Sequence, residues 1–103
     1  IVEYAKNNKI DFSSYMAMEY YSGDVYDIDC VARDGDAINV VPRLRKYDNP
    51  LSPYNEGCII SQDKNIISYV SDVISALQCH GACDFDIAID SLGRPRVIDA
   101  STR

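Results

Sequence analysis

The chain has 103 residues, 47% of them hydrophobic and 25% charged, with a formal net charge of −6. That length fits one domain or a piece of one, and the negative balance excludes a general nucleic-acid binder, which needs a basic face to displace counterions from phosphates. No apolar run approaches the roughly 20 residues needed to cross a bilayer, so no membrane partner is expected.

Residues 1–9 read as the end of a helix, with Asn7-Asn8 suited to its exit, and they lack the charged-then-apolar order of a secretion signal. With no initiator Met, the chain reads as a fragment of something longer. Residues 15–20 look like a short strand closed by the turn signal Ser22-Gly23-Asp24. Residues 25–32 then alternate: Val25, Asp27, Asp29 and Val31 share one face, and Tyr26, Ile28, Cys30 and Ala32 form the apolar one. Arg33-Asp34-Gly35-Asp36 supplies a hairpin turn, because Asp-Gly accepts the positive φ angles of tight hairpins. Residues 37–44 return as the partner strand.

The stretch 43–57, with Pro50, Pro53 and a basic start, reads as a long loop of the kind that tends to be functional. Cys58-Ile59-Ile60 is a short strand. Ser61 can cap a following helix, with Asp63 favourable in its first turn. Ile66, Ile67, Val70, Val73, Ile74 and Leu77 make one apolar stripe at helical spacing, and Gly81 is a natural stop. A strand over 83–90, a turn over 91–94 and a partner strand over 96–100 complete the chain. The order predicts an α+β fold: an antiparallel sheet with one main amphipathic helix packed on one face.

Four cysteines, Cys30, Cys58, Cys79 and Cys83, occur without any mark of secretion, so reduced thiols and a cytoplasmic location are expected. Cys79-His80-x-x-Cys83 falls short of a zinc site, since no second pair completes it.

The closing hairpin carries the chemistry. In residues 83–90, Asp84, Asp86, Ala88 and Asp90 share one face, opposite Cys83, Phe85, Ile87 and Ile89. In the partner strand Val97 and Asp99 share a face, and closure through Leu92-Gly93 sets Asp86 beside Asp99. Two carboxylates about 4 Å apart repel by roughly 4 kcal/mol at an effective dielectric of 20. Such a pair needs a proton, an intervening cation or separating water. Mg²⁺ takes one or two carboxylates plus substrate phosphates, and Arg103, two residues beyond Ser101, has a fork-shaped head that suits a phosphate oxygen. A solvated polar face on a half-buried sheet is the alternative that alternation alone leaves open.

Two stretches resemble a known family. Gly81-Ala82-Cys83-Asp84-Phe85-Asp86, followed by Gly93-Arg94-Pro95-Arg96-Val97-Ile98-Asp99-Ala100-Ser101-Thr102-Arg103, resembles the end of an ATP-grasp domain, most closely its carbamoyl-phosphate-synthase-like branch. Members carry a strand with Gln, Glu or Asp, a dGxp-type turn, and a hydrophobic pair followed by Glu-x-Asn-Pro-Arg. Met18-Glu19-Tyr20-Tyr21-Ser22-Gly23-Asp24-Val25-Tyr26-Asp27-Ile28-Asp29 is similar to the family's hinge and the strand after it. The chain is thus identified as the C-terminal part of an ATP-grasp domain, spanning residues 1–103, with the resemblance running from about residue 15 onward.

The resemblance implies a metal site at Asp86, Asp99 and Ser101 for Mg²⁺ or Mn²⁺, an adenine contact at the hinge residues Glu19, Tyr20 and Tyr21, and Arg103 on the phosphates. Arg43 and Arg45 become candidates for holding a carboxylate or acyl phosphate, against the plain reading of a solvated basic edge. The implied activity is that of an ATP-dependent carboxylate–amine ligase, with ATP as cofactor and small-molecule carboxylate and amine substrates. The remainder of the ATP-grasp chain, and a homodimer, are the expected protein partners, and the isolated stretch is expected to be inactive. The pattern departs at Asp99 (for Glu), Ser101 (for Asn), Thr102 (for Pro) and Val25 (for a ribose-binding Glu). A non-catalytic nucleotide sensor or scaffold on the same fold is therefore the alternative.

Overall fold

Alternating side chains dictate a sheet with two unlike faces, and in the computed structural model this sheet organises the chain; the residues described are 6–8, 11, 13, 15–46 and 57–102. In chain order they form β1 (Val25–Arg33), β2 (Asp36–Lys46), β3 (Gly57–Ile60), α1 (Lys64–Leu77), β4 (Gly81–Ile89) and β5 (Pro95–Thr102). The five strands make one sheet in the order β3-β2-β1-β4-β5, with every neighbouring pair antiparallel. The helix covers one face. This is the α+β architecture that the periodicities predict.

The core is the apolar face of the sheet against the helix stripe. Tyr26, Ile28, Cys30 and Ala32 from β1 and Cys83, Phe85 and Ile87 from β4 are buried together with Ile66, Val70 and Ile74 of α1. Burial of each of the Ile, Val and Phe side chains among them contributes roughly 1.5–3 kcal/mol. Leu77, though in register with the stripe, is 60% exposed.

The helix starts at Asp63 rather than Ser61. The Asp63 carboxylate accepts from the backbone N–H groups of Asn65 (2.8 Å) and Ile66 (3.4 Å), while Ser61 Oγ accepts from the Asp63 N–H. It ends before Gly81, at Gln78, whose left-handed φ of 51° turns the chain. Cys79 N–H then reaches back to the Ile74 carbonyl, closing the last turn. The neighbouring carbonyl of Cys79 accepts from Gly35 N–H at 2.9 Å, tying the β1–β2 hairpin to the helix end. Asp34 and Gly35 both have positive φ, as the Asp-Gly turn requires.

Three segments differ from the sequence reading. Residues 15–20 belong to no strand. β2 extends to Lys46, so Arg43 and Arg45 lie on a strand and not in the loop. Their charges are neutralised by aspartates on neighbouring strands, which lets the ladder continue through a basic sequence. Pro42, which has no N–H to give, sits just before the stretch of β2 paired with β3, where no donor is needed on that side.

In β5 a bulge interrupts the register: Asp86 faces Asp99, yet Ile87 faces Val97, leaving Ile98 as the extra residue. Val97 and Asp99 therefore lie on opposite faces, contrary to strict alternation. Val97 packs on the core, and its N–H donates to Tyr69 Oη of α1 at 3.3 Å.

Ile74 is fully buried, so Ile74→Ala is expected to cost about 2–5 kcal/mol, whereas Leu77→Ala is expected to change stability by less than about 0.5 kcal/mol. Urea denaturation of both variants checks this.

Candidate functional site

The face of the sheet away from α1 is where the polar alternation accumulates. One row across the sheet reads Arg43 (β2), Asp27 (β1), Asp86 (β4) and Asp99 (β5), each the cross-strand partner of the next. The next row reads Val41, Asp29, Asp84 and Ser101. Two rows thus place five carboxylates side by side, in pairs that are destabilising when directly opposite.

Arginines from β2 relieve part of this repulsion. Arg45 donates from Nε to Asp27 Oδ1 at 2.6 Å and from Nη2 to Asp86 Oδ2 at 2.7 Å, bridging two strands. All three side chains are about three-quarters buried. Arg43 makes a more exposed pair with Asp29 at 2.9 Å. Burial pushes the Asp86 carboxyl above its ordinary value; the Arg45 guanidinium opposes that rise and the Asp27 carboxylate adds to it.

Beside the row of carboxylates lies an apolar slot. A cavity of 240 Å³ is lined by Met18, Glu19, Tyr20 and Tyr21 on one side and by Val25, Ala88 and Ile98 on the other. Val25 is two residues from Asp27, Ala88 is two from Asp86, and Ile98 immediately precedes Asp99. One pleat repeat, about 7 Å, separates the slot from the acidic row. Tyr21 Oη donates to Glu19 Oε2 at 3.0 Å, which ties the two side chains together. A second, polar cavity of 330 Å³ is lined by Glu19, Tyr20 and Tyr21 with Ser22, Asp90, Ser91, Arg94 and Arg96.

Asp90 does not join the acidic face. It closes the β4–β5 turn, its carboxylate accepting from the N–H groups of Leu92 and Arg94 (both 2.9 Å) and from the Nε atoms of Arg94 and Arg96. The Arg94 N–H first, then the Leu92 N–H and the two guanidinium groups, hold its carboxyl well below the usual range against the effect of burial.

The structure therefore brings Asp86 and Asp99 into register, puts Ser101 one row away beside Asp84, and sets Glu19, Tyr20 and Tyr21 around the slot. Arg43 and Arg45 are on the polar face, engaged with carboxylates. Arg103 and residues 47–56, most of the stretch expected to be a loop, lie outside the described residues. Sequence reasoning missed Asp27, although its alternation with Asp29 is the same signal that singled out Asp84 and Asp86. It also missed the slot wall, which the bulge at Ile98 completes.

Among the described residues no three His, Cys, Asp or Glu side chains converge into a protein-only metal cage. A cation shared with phosphates needs only one or two carboxylates; Asp86 and Asp99 are direct cross-strand partners. At the other end of the sheet, His80 Nδ1 is bonded to Asp34 Oδ1 at 2.9 Å, and burial pushes the Cys30 thiol up to about 12. That thiol stays protonated and packs as an apolar group. All four cysteines are free. No helix among the described residues is long and apolar enough to cross a membrane.

Comparison with known proteins adds an independent line. A family model described as "ATP-grasp in the biosynthetic pathway with Ter operon" matches residues 11–103. Among solved structures, the chain is similar to an L-amino acid ligase from Bacillus licheniformis, with a TM-score of 0.63 and 19% identity, over 100% of this chain and 28% of that one. At that identity the likeness is one of fold, and the chain spans 28% of the ligase's length. No curated protein matches.

The two perturbed carboxyls should separate in a ¹³C NMR titration: Asp86 above the ordinary aspartate value of about 3.9 and Asp90 below it. Since the folded pKa of Asp90 is depressed, its contribution to stability is in place above about pH 4 and is lost as pH falls from there. Asp90→Asn should accordingly lower stability at pH 7 and flatten its acid-side decline.

Proposed function

We propose, since the chain belongs to this ATP-grasp family, that it supplies the nucleotide- and metal-binding half of a ligase that activates a carboxylate as an acyl phosphate for attack by an amine or similar nucleophile. ATP-grasp proteins bind ATP and Mg²⁺, and the single observation that carries the reading is the apolar slot lying one pleat from a row of opposed carboxylates. A flat base needs an apolar, concave site; a triphosphate needs a hard cation held by carboxylates. The two requirements are met side by side on one sheet face.

In this reading Val25, Ala88 and Ile98 form the floor under the base, and the hinge residues Glu19, Tyr20 and Tyr21 cover it. Asp86 and Asp99 would hold Mg²⁺ against the phosphates, and Ser101, with a hydroxyl where the resemblance expects an amide, is a weaker additional donor. Bound there, the cation would supply charge neutralisation for a migrating phosphoryl group. Asp27 and Arg45 set the charge and orientation of Asp86. Arg43, held in an exposed pair with Asp29, is the candidate on the same face for a carboxylate or acyl-phosphate oxygen, and Arg103 is assigned to the phosphates by resemblance alone.

The carbamoyl-phosphate-synthase-like branch is supported by the spacing from Asp99 to Ser101 and Arg103. The structural likeness to an L-amino acid ligase makes amino-acid carboxylates the first substrates to test. A nucleotide sensor without turnover is the second reading, favoured by Ser101 and by Val25.

ADP release by the full chain, with Mg²⁺, ATP and a panel of amino acids, separates these. The ligase reading expects carboxylate-dependent release that falls about 100-fold or more in Asp86→Asn and Asp99→Asn, the scale of losing a group that stabilises transition-state charge. ATP binding without release in any mixture favours the sensor.

A further inference from the structure

Arg45 is in an unusual position for a residue that might hold substrate. Its guanidinium crosses β1 from β2 and ends on Asp86 of β4. The guanidinium touches two different carboxylates: Nε and Nη2 both meet Asp27, and Nη2 also reaches Asp86. Asp86 is the carboxylate that also faces Asp99. A single positive charge therefore occupies the place between strands β1 and β4 where repulsion between Asp27 and Asp86 would otherwise be uncompensated.

Burial decides what such a contact means. Arg45, Asp27 and Asp86 have side-chain exposures of 22%, 21% and 28%, whereas Arg43 and Asp29 are 36% and 57% exposed. The second pair is a surface ion pair of small net effect. In the first, a largely buried carboxylate left without a counter-charge is costly, so Asp86 would exchange one cation for another more readily than go without. A divalent cation on Asp86 and Asp99 repels the guanidinium and takes over its role. Asp27 still touches Nε and Nη2, so the guanidinium would give up its Asp86 contact alone.

We infer that Arg45 is a placeholder for the metal: its guanidinium neutralises Asp86 in the metal-free chain, and metal binding at Asp86 breaks the Nη2–Asp86 contact, freeing that side of the guanidinium for an anionic ligand on the same face. The inference rests on the metal-site reading above and adds to it an order of events. Metal comes first, and only then does Arg45 become a donor for a phosphate or carboxylate oxygen. Arg45 is thus a positioning residue whose second contact is conditional on the metal.

The test is direct binding of Mn²⁺ to the full chain, followed by electron paramagnetic resonance without nucleotide, in wild type, Arg45→Met, Arg43→Met and Asp86→Asn. Arg45→Met should bind Mn²⁺ about tenfold tighter or more, the scale of one charge-assisted hydrogen bond. Arg43→Met removes the same charge from the same face without freeing Asp86, and should shift affinity by less than about threefold, as an exposed pair does. Equal tightening in both variants, or none in Arg45→Met while Asp86→Asn abolishes binding, overturns the inference and leaves the metal site standing. Mn²⁺ binding that ignores Asp86 overturns both.

A wild-type measurement covers the case in which a variant fails to fold. The Arg45 Nε–H and Nη–H signals, followed by ¹⁵N NMR during Mg²⁺ titration, should show Nη exchange with water speeding up at saturation while Nε stays protected. Unchanged protection of both at saturating Mg²⁺ means a fixed structural pair and refutes the placeholder.

Discussion

The contact on which the polar face depends is the guanidinium of Arg45 set between Asp27 and Asp86. Without it, β1 and β4 would pair along a line of directly opposed aspartates, Asp27 to Asp86 and Asp29 to Asp84, and like charges at cross-strand distance destabilise a ladder. The repulsion is tolerated because the opposite face of the same strands is the core. Ile28, Phe85 and Ile87 cannot leave the helix without losing their burial. Hydrophobic packing on one face thus holds together, on the other, a concentration of charge that would not assemble by itself.

The bulge in β5 connects the two faces. It turns Val97 into the core and Ile98 into the slot, and it brings Asp99 opposite Asp86. A bulge leaves backbone groups outside the ladder, and here Tyr69 of α1 accepts the Val97 N–H. The helix that seals the core therefore also stabilises the bulge that shapes the slot. At the far end of that hairpin, Asp90 binds four donors in the turn and fixes the angle at which β5 leaves β4.

Much of this was legible in the residues. Alternation in 25–32 and 83–90 gave the two faces, the stripe from Ile66 to Ile74 gave the helix, and Asp34-Gly35 gave its hairpin. The pairing of Asp86 with Asp99 followed from the position of the turn. What was not legible depended on contacts distant in sequence. A basic stretch such as Arg43-Leu44-Arg45 reads as loop until Asp27, Asp29 and Asp86 are known to lie across from it. Asp90 reads as one more acidic residue on the face, because alternation cannot tell where a strand gives way to a turn. The bulge has no local signature in Val97-Ile98-Asp99; its stabilising partner, Tyr69, is 28 residues away.

The central claim is that one face of this sheet holds a metal–nucleotide pair, with the base in the slot and the cation on the acidic row. Paramagnetic broadening by Mn²⁺ in the presence of ATP locates the cation most directly. The account predicts that backbone signals of Asp86 and Asp99 are broadened first, and that signals from Val25, Ala88 and Ile98 shift only when ATP is present. Broadening centred on the Asp90 turn or the Asp34 hairpin, with the slot residues unaffected by ATP, would contradict it.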